Sequence, residues 1–115
     1  MEVGIDLVEI NRIRQLLERH PNFPQRILSP DELKQYQTFN HNKRRLTYLA
    51  GRFAVKEAYS KAMGEGLGGE NALRQISVLN DGKGRPYLDH GPIQKGVSLS
   101  ISHEDHYAVA IVVIP

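Results

Sequence analysis

Hydrophobic and polar positions change their spacing along the chain, from alternation to helical spacing and back to alternation. Residues 2–8 alternate and are rich in β-branched side chains, which predicts a strand. Residues 9–20 place apolar side chains on one helical face, which predicts a helix that two prolines close. Residues 43–63 are apolar around much of the helical wheel, which predicts a long central helix covered on more than one side.

Two helix boundaries are marked by local sequence. Ser29-Pro30-Asp31-Glu32 combines a capping serine, a proline at the first helical position and a glutamate that completes a capping box. We therefore expect a helix of about ten residues after Ser29. Gly64 suits the left-handed conformation that follows a helix end, so the central helix should stop there.

The last third of the chain predicts four strands. Residues 76–79 and 86–88 flank Asp81-Gly82-Lys83-Gly84, which is typical of a hairpin turn. Residues 97–101 alternate, and residues 107–114 are nearly all apolar, as in a central strand buried on both faces. The order of a strand, then helices, then strands predicts an α+β fold, with a mostly antiparallel sheet packed with a long central helix.

Length and composition limit the class of protein. The chain has 115 residues, which predicts a single domain over residues 1–115. It has no cysteine, which excludes disulfides and thiolate metal sites and suits a reducing cytoplasm. No apolar run approaches the roughly 20 residues of a membrane span, and the first residues lack the basic region of a signal peptide. We expect a cytoplasmic protein with no membrane partner.

Charged side chains occupy positions where the packing pattern predicts core. Glu57 and Lys61 continue the apolar stripe of the central helix, and Asp6 lies inside the first strand. Because charges are costly to desolvate, these residues mark a candidate site. An ordinary Glu-Lys surface pair and a solvent-facing Asp6 also explain the pattern. Asp6 and Glu57 together would form an oxygen site of the kind that binds Mg²⁺ with substrate phosphates.

Two further segments carry weaker signals. Residues 64–69 are rich in glycine, which lets backbone N–H groups approach a phosphate, but a plain loop explains them equally well. Ser102, His103 and Asp105 could suggest a hydrolase, yet adjacent residues of an extended segment point to opposite sides and cannot form a triad alone. His103 and His106 lack a third ligand with spacing suited to zinc.

Positive charge is concentrated near the N-terminus and in residues 41–45, although the net charge is only +2. A solvated surface explains this distribution, and so does a docking face for an acidic protein or a nucleic acid. The aromatic residues are not interleaved with the basic clusters, which argues against a nucleic-acid partner.

Residues 4–13, 52–66 and 100–103 form three motifs whose order and spacing resemble those of the holo-acyl-carrier-protein synthases, the small type of 4′-phosphopantetheinyl transferase. Gly84-Arg85-Pro86-Tyr87 also resembles the hairpin segment of that family, so the likeness covers almost the whole chain. It implies a 4′-phosphopantetheinyl transferase-like fold. It also implies Mg²⁺-dependent transfer of the phosphopantetheine arm from coenzyme A to a serine of apo acyl carrier protein, a step in fatty acid biosynthesis.

The resemblance implies roles for individual residues. Asp6 and Glu57 match the acids that hold Mg²⁺, Lys61 matches the lysine near the pyrophosphate, and His103 matches the histidine that contacts the coenzyme. Glu57, Lys61 and His103 are thus the expected catalytic residues, and the base is either Glu57 or a water that Glu57 and the metal hold. The other residues that match the coenzyme pocket are Arg52, Gly64, Gly66 and Pro86.

The resemblance also implies an acidic acyl carrier protein as partner, and a homotrimer with each active site at a subunit boundary. The basic face on which we expect the carrier protein to dock consists of Arg14, Arg26, Arg44 and Arg45. Two alternatives stay open from the residues alone. One is a small basic nucleic-acid-binding domain, and the other is a metal-dependent phosphohydrolase that uses Asp6 and Glu57.

Overall fold

The structure is a computed structural model that describes residues 1–64 and 72–115. The strands in these two ranges are β1 (Glu2–Glu9), β2 (Ser77–Asn80), β3 (Pro86–His90), β4 (Ser98–His103) and β5 (Tyr107–Ile114). The α-helices are α1 (Ile10–Arg19), α2 (Phe23–Ile27), α3 (Pro30–Thr38) and α4 (Asn42–Met63), and a 3-10 helix spans Leu73–Gln75. None of the helices described is long and apolar enough to cross a membrane.

The described strands form two antiparallel sheets. One has three strands in the order β1-β5-β4, and the other pairs β2 with β3. In the larger sheet Asp6 lies opposite Ala110, and Ala110 lies opposite Ile101, so these three residues form one row across the sheet. The predicted α+β architecture is confirmed, with β5 in the middle of its sheet and the predicted hairpin as a separate sheet.

Helix α4 packs against the inner face of the larger sheet, and Gly4 marks their closest approach. A Cβ atom added to Gly4 would lie 1.8 Å from the carbonyl oxygen of Ala58 and 2.8 Å from the backbone nitrogen of Ala62. Only glycine fits such a contact, because every other residue would place a carbon atom inside the helix backbone. Strand β1, which carries Asp6, therefore packs directly against α4.

The predicted helix boundaries are confirmed where the sequence carries capping residues. The Ser29 hydroxyl accepts from the backbone N–H of Glu32 at 3.2 Å, and the Glu32 carboxylate accepts from the backbone N–H of Ser29 at 2.8 Å. Helix α4 ends at Met63, and Gly64 follows in the left-handed region with φ 77°. Pro24 was expected to help close the first helix, but it lies in the first turn of α2 instead.

The predicted burial of β5 on both faces is wrong for the single chain. Its inner residues Ala108, Ala110 and Val112 are buried, but Ile111 and Tyr107 on the other face are exposed. The residues that form this open sheet face are Val3, Ile5, Leu7, Tyr107 and Ile111. An apolar strand predicts that both of its faces are shielded from water. It does not predict whether the same chain or another chain shields them.

The most deeply buried charges are a pair that the hydrophobic pattern did not predict. Lys56 and Glu32 are both 0% exposed, with Lys56 Nζ 2.5 Å from Glu32 Oε1. The ammonium also donates to the carbonyl oxygens of Ile27 at 2.6 Å and Leu73 at 2.9 Å, so each of its three hydrogens has an acceptor. Burial lowers the pKa of Lys56, and the Glu32 carboxylate opposes that shift. The pair joins α4 to α2, α3 and the 3-10 helix.

Candidate active site

Asp6 and Lys61 form an ion pair between β1 and α4. Lys61 Nζ lies 3.0 Å from Asp6 Oδ1 and 3.0 Å from the carbonyl oxygen of Ile5. Asp6 shares the inner side of its strand with Gly4, and its side chain is 17% exposed. The solvent-facing interpretation of Asp6 is therefore wrong, because the carboxylate is held against the helix.

Glu57 lies one helical turn before Lys61, so both side chains project from the same side of α4. Glu57 is partly buried, whereas the Lys61 side chain is 56% exposed. The expectation that both charges point into the core is thus wrong for Lys61. The apolar stripe reaches the surface there because this end of α4 crosses β1, which is an edge strand of the sheet.

The donor atoms of Asp6 and Glu57 suit a hard cation. Magnesium prefers oxygen ligands and is usually held by one or two carboxylates, with waters and substrate phosphates at its other positions. Within the described residues, no group of three or more His, Cys, Asp or Glu side chains could enclose a metal ion. The two acids therefore fit Mg²⁺ that is bound together with a phosphate ligand, and they do not fit a site closed by the protein alone.

A cavity of about 700 Å³ opens between α4, the β2–β3 hairpin and β4. Its walls include Thr47 and Gly51 from the helix, Gly84 from the hairpin turn and Ile101 from β4. The volume lies within the range of small-molecule and cofactor sites. A Cβ atom on Gly51 would lie 3.1 Å from the Ile101 side chain, so the helix and the strand meet closely at the edge of the cavity.

Three residues of the predicted coenzyme pocket line this cavity together. They are Arg52, Pro86 and His103, which come from three different elements. Gly64 follows the end of α4 and is exposed, and a Cβ atom there would meet nothing within 4 Å. Gly66 lies outside the described residues. The structure thus brings Arg52, Pro86 and His103 to one cavity, and Gly64 does not line it.

The guanidinium of Arg52 is engaged mainly by the protein itself. Its Nε donates to the carbonyl oxygen of Val78 at 2.9 Å, and Nη2 donates to Asn80 Oδ1 at 2.8 Å. Its Cζ atom lies 4.1 Å from the centre of the Tyr48 ring, a cation–π contact. Burial raises the pKa of Tyr48 to about 12, and Arg52 acts in the opposite direction. Arg52 therefore shapes the cavity wall as a buried structural cation.

His103 reaches the cavity from the inner face of β4, and Ser102 points to the opposite face. A Ser102–His103 triad is therefore excluded, as the strand pattern predicts. His103 is two strands away from β1 and two residues along from the row that contains Asp6. This corresponds to about 12 Å between the Cα atoms of His103 and Asp6. Within one chain, His103 and the Asp6–Lys61 pair occupy separate places.

The four arginines of the predicted docking face lie in three different places. Arg44 lines the 700 Å³ cavity together with Lys43. Arg14 and Arg45 line a second cavity of about 1030 Å³ between α1 and α4. Arg26 lies in the last turn of α2 and is exposed. Only Arg14 and Arg45 of this set therefore share a described cavity.

Sequence reasoning missed several residues of the cavity wall. Lys43, Thr47 and Gly51 recur every four positions along α4, so helical spacing could have placed them on one face beside Arg44. Tyr48 and Asn80 carried no such signal, because the hairpin and the helix that hold them meet only in the folded chain.

Comparison with known proteins identifies the family. The model of the 4′-phosphopantetheinyl transferase superfamily matches residues 2–112. The chain belongs to the 4′-phosphopantetheinyl transferase superfamily. The resemblance of the three sequence motifs is thereby confirmed, and this member of the superfamily shares its sequence pattern over almost its whole length.

Two relatives of this transferase are named holo-[acyl-carrier-protein] synthase. The protein of Staphylococcus carnosus is 47% identical over 112 residues, which cover 97% of this chain and 94% of the relative. The protein of Anoxybacillus flavithermus is 45% identical over 112 residues, which cover 97% of this chain and 92% of the relative. The similarity therefore extends over entire proteins and is not limited to one motif.

Two solved structures share the fold of this transferase. The holo-(acyl-carrier-protein) synthase of Bacillus anthracis, in complex with CoA (3′,5′-ADP), has a TM-score of 0.84 and 42% identity, covering 96% of this chain and 92% of that chain. The Helicobacter pylori synthase in complex with coenzyme A has a TM-score of 0.82 and 33% identity, covering 98% and 99% of the two chains. Both the fold and the sequence motifs thus agree with the family.

Proposed function

We propose that this protein transfers the 4′-phosphopantetheine arm of coenzyme A to a serine of an apo acyl carrier protein. The observation that carries the proposal is the Asp6–Lys61 ion pair with Glu57 one helical turn away. The names of the relatives support it, and so does the coenzyme bound to the Bacillus anthracis and Helicobacter pylori proteins. The product, holo acyl carrier protein, would serve fatty acid biosynthesis.

The 700 Å³ cavity is the proposed site for the coenzyme. Lys43, Arg44 and His103 line it. The two cations can bind phosphate oxygens through charge-assisted hydrogen bonds, and an imidazole N–H can donate to them as well. Pro86 adds apolar surface on the hairpin side. Gly64 and Gly66 stay predictions for coenzyme binding.

Asp6 and Glu57 are the residues that would hold Mg²⁺, in agreement with their hard oxygen donors. The ion, when bound, supplies positive charge that neutralises the phosphoryl oxygens of the pyrophosphate. Lys61, which already lies against Asp6, can turn its exposed ammonium toward the same oxygens. The cluster thus provides the charge stabilisation that phosphoryl transfer requires.

In the proposed reaction the serine Oγ attacks the phosphorus next to the pantetheine arm. The Oγ–P bond forms while the P–O bond within the pyrophosphate breaks, and adenosine 3′,5′-bisphosphate leaves. Glu57, either directly or through a water that it orients, takes the proton of the serine hydroxyl. Lys61 donates to the phosphoryl oxygens, on which negative charge accumulates as the bond breaks.

A homotrimer with shared active sites is part of the proposal. The prediction from sequence rested on an all-round apolar central helix, but the middle of that helix, residues 48–59, is largely buried by its own chain. The open sheet face supplies the stronger argument, because Ile5 and Leu7 are 58% and 64% exposed there. The cavity residues described include neither Asp6 nor Lys61, so a neighbouring copy that packs on this face can bring its cavity to their cluster.

An acidic carrier protein is the proposed protein partner. Arg14 and Arg45 line the second cavity, which also contains the apolar side chains of Leu17 and Leu46. Arg26 adds positive charge on the neighbouring α2. Glu104 and Asp105 also line this cavity, so its charge is mixed. Arg14 and Arg45 are the groups that would steer an acidic helix-rich partner, and the apolar side chains would hold it. We place the reaction in the cytoplasm, which suits a chain without cysteine.

The experiment that tests the proposal combines the protein with coenzyme A, Mg²⁺ and an apo acyl carrier protein, and measures the mass of the carrier. We expect the carrier to gain the phosphopantetheine mass. Asp6→Ala should abolish the gain, while Asp31→Ala, at an exposed acid on α3, should leave it intact. Consumption of coenzyme A at the same rate without a carrier would contradict the proposal and indicate a hydrolase.

A further inference from the structure

The outer edge of β2 is hydrogen-bonded by side chains. On its other edge β2 pairs with β3. At the outer edge, the Val78 N–H donates to Glu32 Oε2 at 2.9 Å, and the Val78 carbonyl accepts from Arg52 Nε at 2.9 Å. Asn80, two residues further along the same edge, is bonded by Gln35. Gln35 Oε1 accepts from the Asn80 N–H and Nε2 donates to the Asn80 carbonyl, both at 3.3 Å. Three side chains thus take the place of a neighbouring strand.

These bonds tie the hairpin to α3 and α4. The hairpin is not hydrogen-bonded into the larger sheet, so no continuous ladder sets its position. Ile76 and Val78 bury their side chains in the core and hold the strand against the helices. Hydrophobic contact is not directional, whereas hydrogen bonds to both backbone groups of one residue fix register and spacing.

Gln35 links the two facing walls of the 700 Å³ cavity. Asn80 stands in the hairpin wall and Tyr48 in the α4 wall, and both residues line the cavity. Gln35 Oε1 accepts from the Asn80 N–H at 3.3 Å and from the Tyr48 hydroxyl at 3.1 Å, whose hydrogen also lies within reach of the Glu32 carbonyl at 3.3 Å. Gln35 itself does not line the cavity described. One partly buried amide outside the cavity is therefore bonded to both sides of it.

We propose that Gln35 is a positioning residue for coenzyme binding, which sets the spacing between the hairpin wall and the α4 wall without touching the coenzyme. The inference rests on the proposed function, because it takes this cavity to be the coenzyme site. Glutamine suits the task chemically, since its amide offers an acceptor for two donors and a donor for one carbonyl. Glutamate keeps the acceptors but loses the donor, and methionine of similar length loses all three bonds.

The test is steady-state kinetics with coenzyme A varied at saturating carrier protein, and then with the carrier varied. Gln35→Met should raise the KM for coenzyme A by about fivefold to tenfold, the effect of losing one to two net hydrogen bonds. The turnover number and the carrier KM should stay within about twofold, because Gln35 does not bond to Asp6, to Glu57 or to the arginines of the docking surface. Gln35→Glu should fall between Gln35→Met and the wild type.

The matched control is Gln37→Met on the same helix. Gln37 is exposed, and its backbone carbonyl, not its side chain, accepts from Arg45. This variant should keep the wild-type KM for coenzyme A. Calorimetric titration with coenzyme A alone provides a second measurement, which does not depend on turnover, and Gln35→Met should bind about fivefold to tenfold more weakly there too.

The outcomes separate the inference from the function on which it rests. If Gln35→Met loses thermal stability and total activity but keeps its KM and its affinity for coenzyme A, Gln35 is merely structural and the inference is overturned. If the wild type modifies no carrier protein, the proposed function fails, while the titration with coenzyme A still decides the role of Gln35. A wild type that does not bind coenzyme A overturns both.

Discussion

At the scale of single residues, surroundings decide what a charge does. Lys56 and Lys61 lie five positions apart on α4, yet Lys56 is fully buried and Lys61 is largely exposed. Lys56 is surrounded by three fixed oxygen acceptors, which compensate for its lost hydration. Lys61 shares its ammonium among Asp6, the Ile5 carbonyl and solvent, so part of it stays open to a substrate. The first lysine therefore has a structural role, and the second is the one that we propose for chemistry.

Lys61→Ala should lower turnover more than it lowers affinity for coenzyme A. A cation at the pyrophosphate matters most when charge builds on the leaving oxygens, so its removal weakens the transition state more than the ground state. Steady-state kinetics with varied coenzyme A measures both quantities. Lys34→Ala, at an exposed lysine of α3, serves as the control and should change neither. Unchanged turnover with a raised KM would make Lys61 a binding residue only.

Tyr48 should make stability fall at high pH. Its pKa is raised from 10.0 to about 12 in the folded chain, mainly by burial. Below the unfolded pKa both states hold the proton and the contribution is constant. Between the two values the unfolded chain ionises first, so it binds fewer protons than the folded chain and stability declines. Urea unfolding of wild type and Tyr48→Phe should show a stability difference that is flat below pH 10 and shrinks above it. A difference that is constant to pH 12 would contradict the assignment.

At the scale of elements, the packing of β1 against α4 brings together Asp6, Glu57 and Lys61. The strand brings Asp6 and the Ile5 carbonyl to Lys61 only because Gly4 lets the two backbones touch. The same strand pairs with β5 along its whole length, so a shift at Gly4 would displace the rest of β1, including Asp6. Packing at one glycine is thus coupled to the geometry of the site.

Gly4→Ala should destabilise the protein by about 3 kcal/mol, because the added methyl group overlaps a helix carbonyl and β1 must lift away. Activity should fall with it, since the lifted strand separates Asp6 from Lys61. Gly82→Ala is the matched control, as a Cβ there would meet nothing within 4 Å. Urea unfolding and the carrier-mass assay measure the two effects. Wild-type stability in Gly4→Ala would show that the strand adapts at no cost.

At the scale of the whole molecule, two surfaces are open to a binding partner: the open sheet face and the second cavity. The open sheet face exposes large apolar side chains on β1 and β5, where a partner could cover them. The second cavity, between α1 and α4, combines Arg14 and Arg45 with the apolar Leu17 and Leu46, and Glu104 and Asp105 also line it. We propose another copy of the chain as the partner of the first surface and an acidic protein as the partner of the second.

Ile5→Asp should convert a trimer of 13.0 kDa chains into monomers, because a charge would be buried without a partner in the interface. Light scattering at micromolar concentration measures the mass. Ile93→Asp, at an exposed apolar residue outside the sheets, should keep the trimer. If the active site is shared, the monomer should also lose transfer activity. A wild type of monomer mass would remove the trimer from the proposal.

Arg14→Glu should raise the KM for the carrier protein and flatten its dependence on salt. The reversal removes attraction to an acidic partner, which acts within a Debye length of about 10 Å at 0.1 M salt. Coenzyme binding should not change, since Arg14 does not line the 700 Å³ cavity. Lys34→Glu changes the net charge equally at an exposed residue that does not line the second cavity, and it should leave the carrier KM unaltered. Equal responses of the two variants would mean that docking takes place elsewhere.

Local features of this protein could be predicted from sequence because they depend on residues a few positions apart. The capping box of Ser29 and Glu32, the end of α4 at Gly64 and the central position of β5 all follow from short patterns. The three motifs identified the family for a similar reason, since each is a short segment of fixed residue types. Of the site, the sequence indicated Asp6 and Glu57 as a pair of acids, and the resemblance to the family indicated Lys61 as a lysine near the pyrophosphate.

The tertiary structure alone decided which distant residues meet. Lys56 and Glu32 are 24 residues apart, and Gln35 and Asn80 are 45 apart, so helical or strand periodicity carries no information about either contact. The same holds for the open sheet face, where the sequence predicts burial but cannot say that the helices within residues 1–64 and 72–115 pack elsewhere. Short patterns determine local conformation, whereas the cost of desolvating a charge or exposing an apolar face depends on every element that packs nearby.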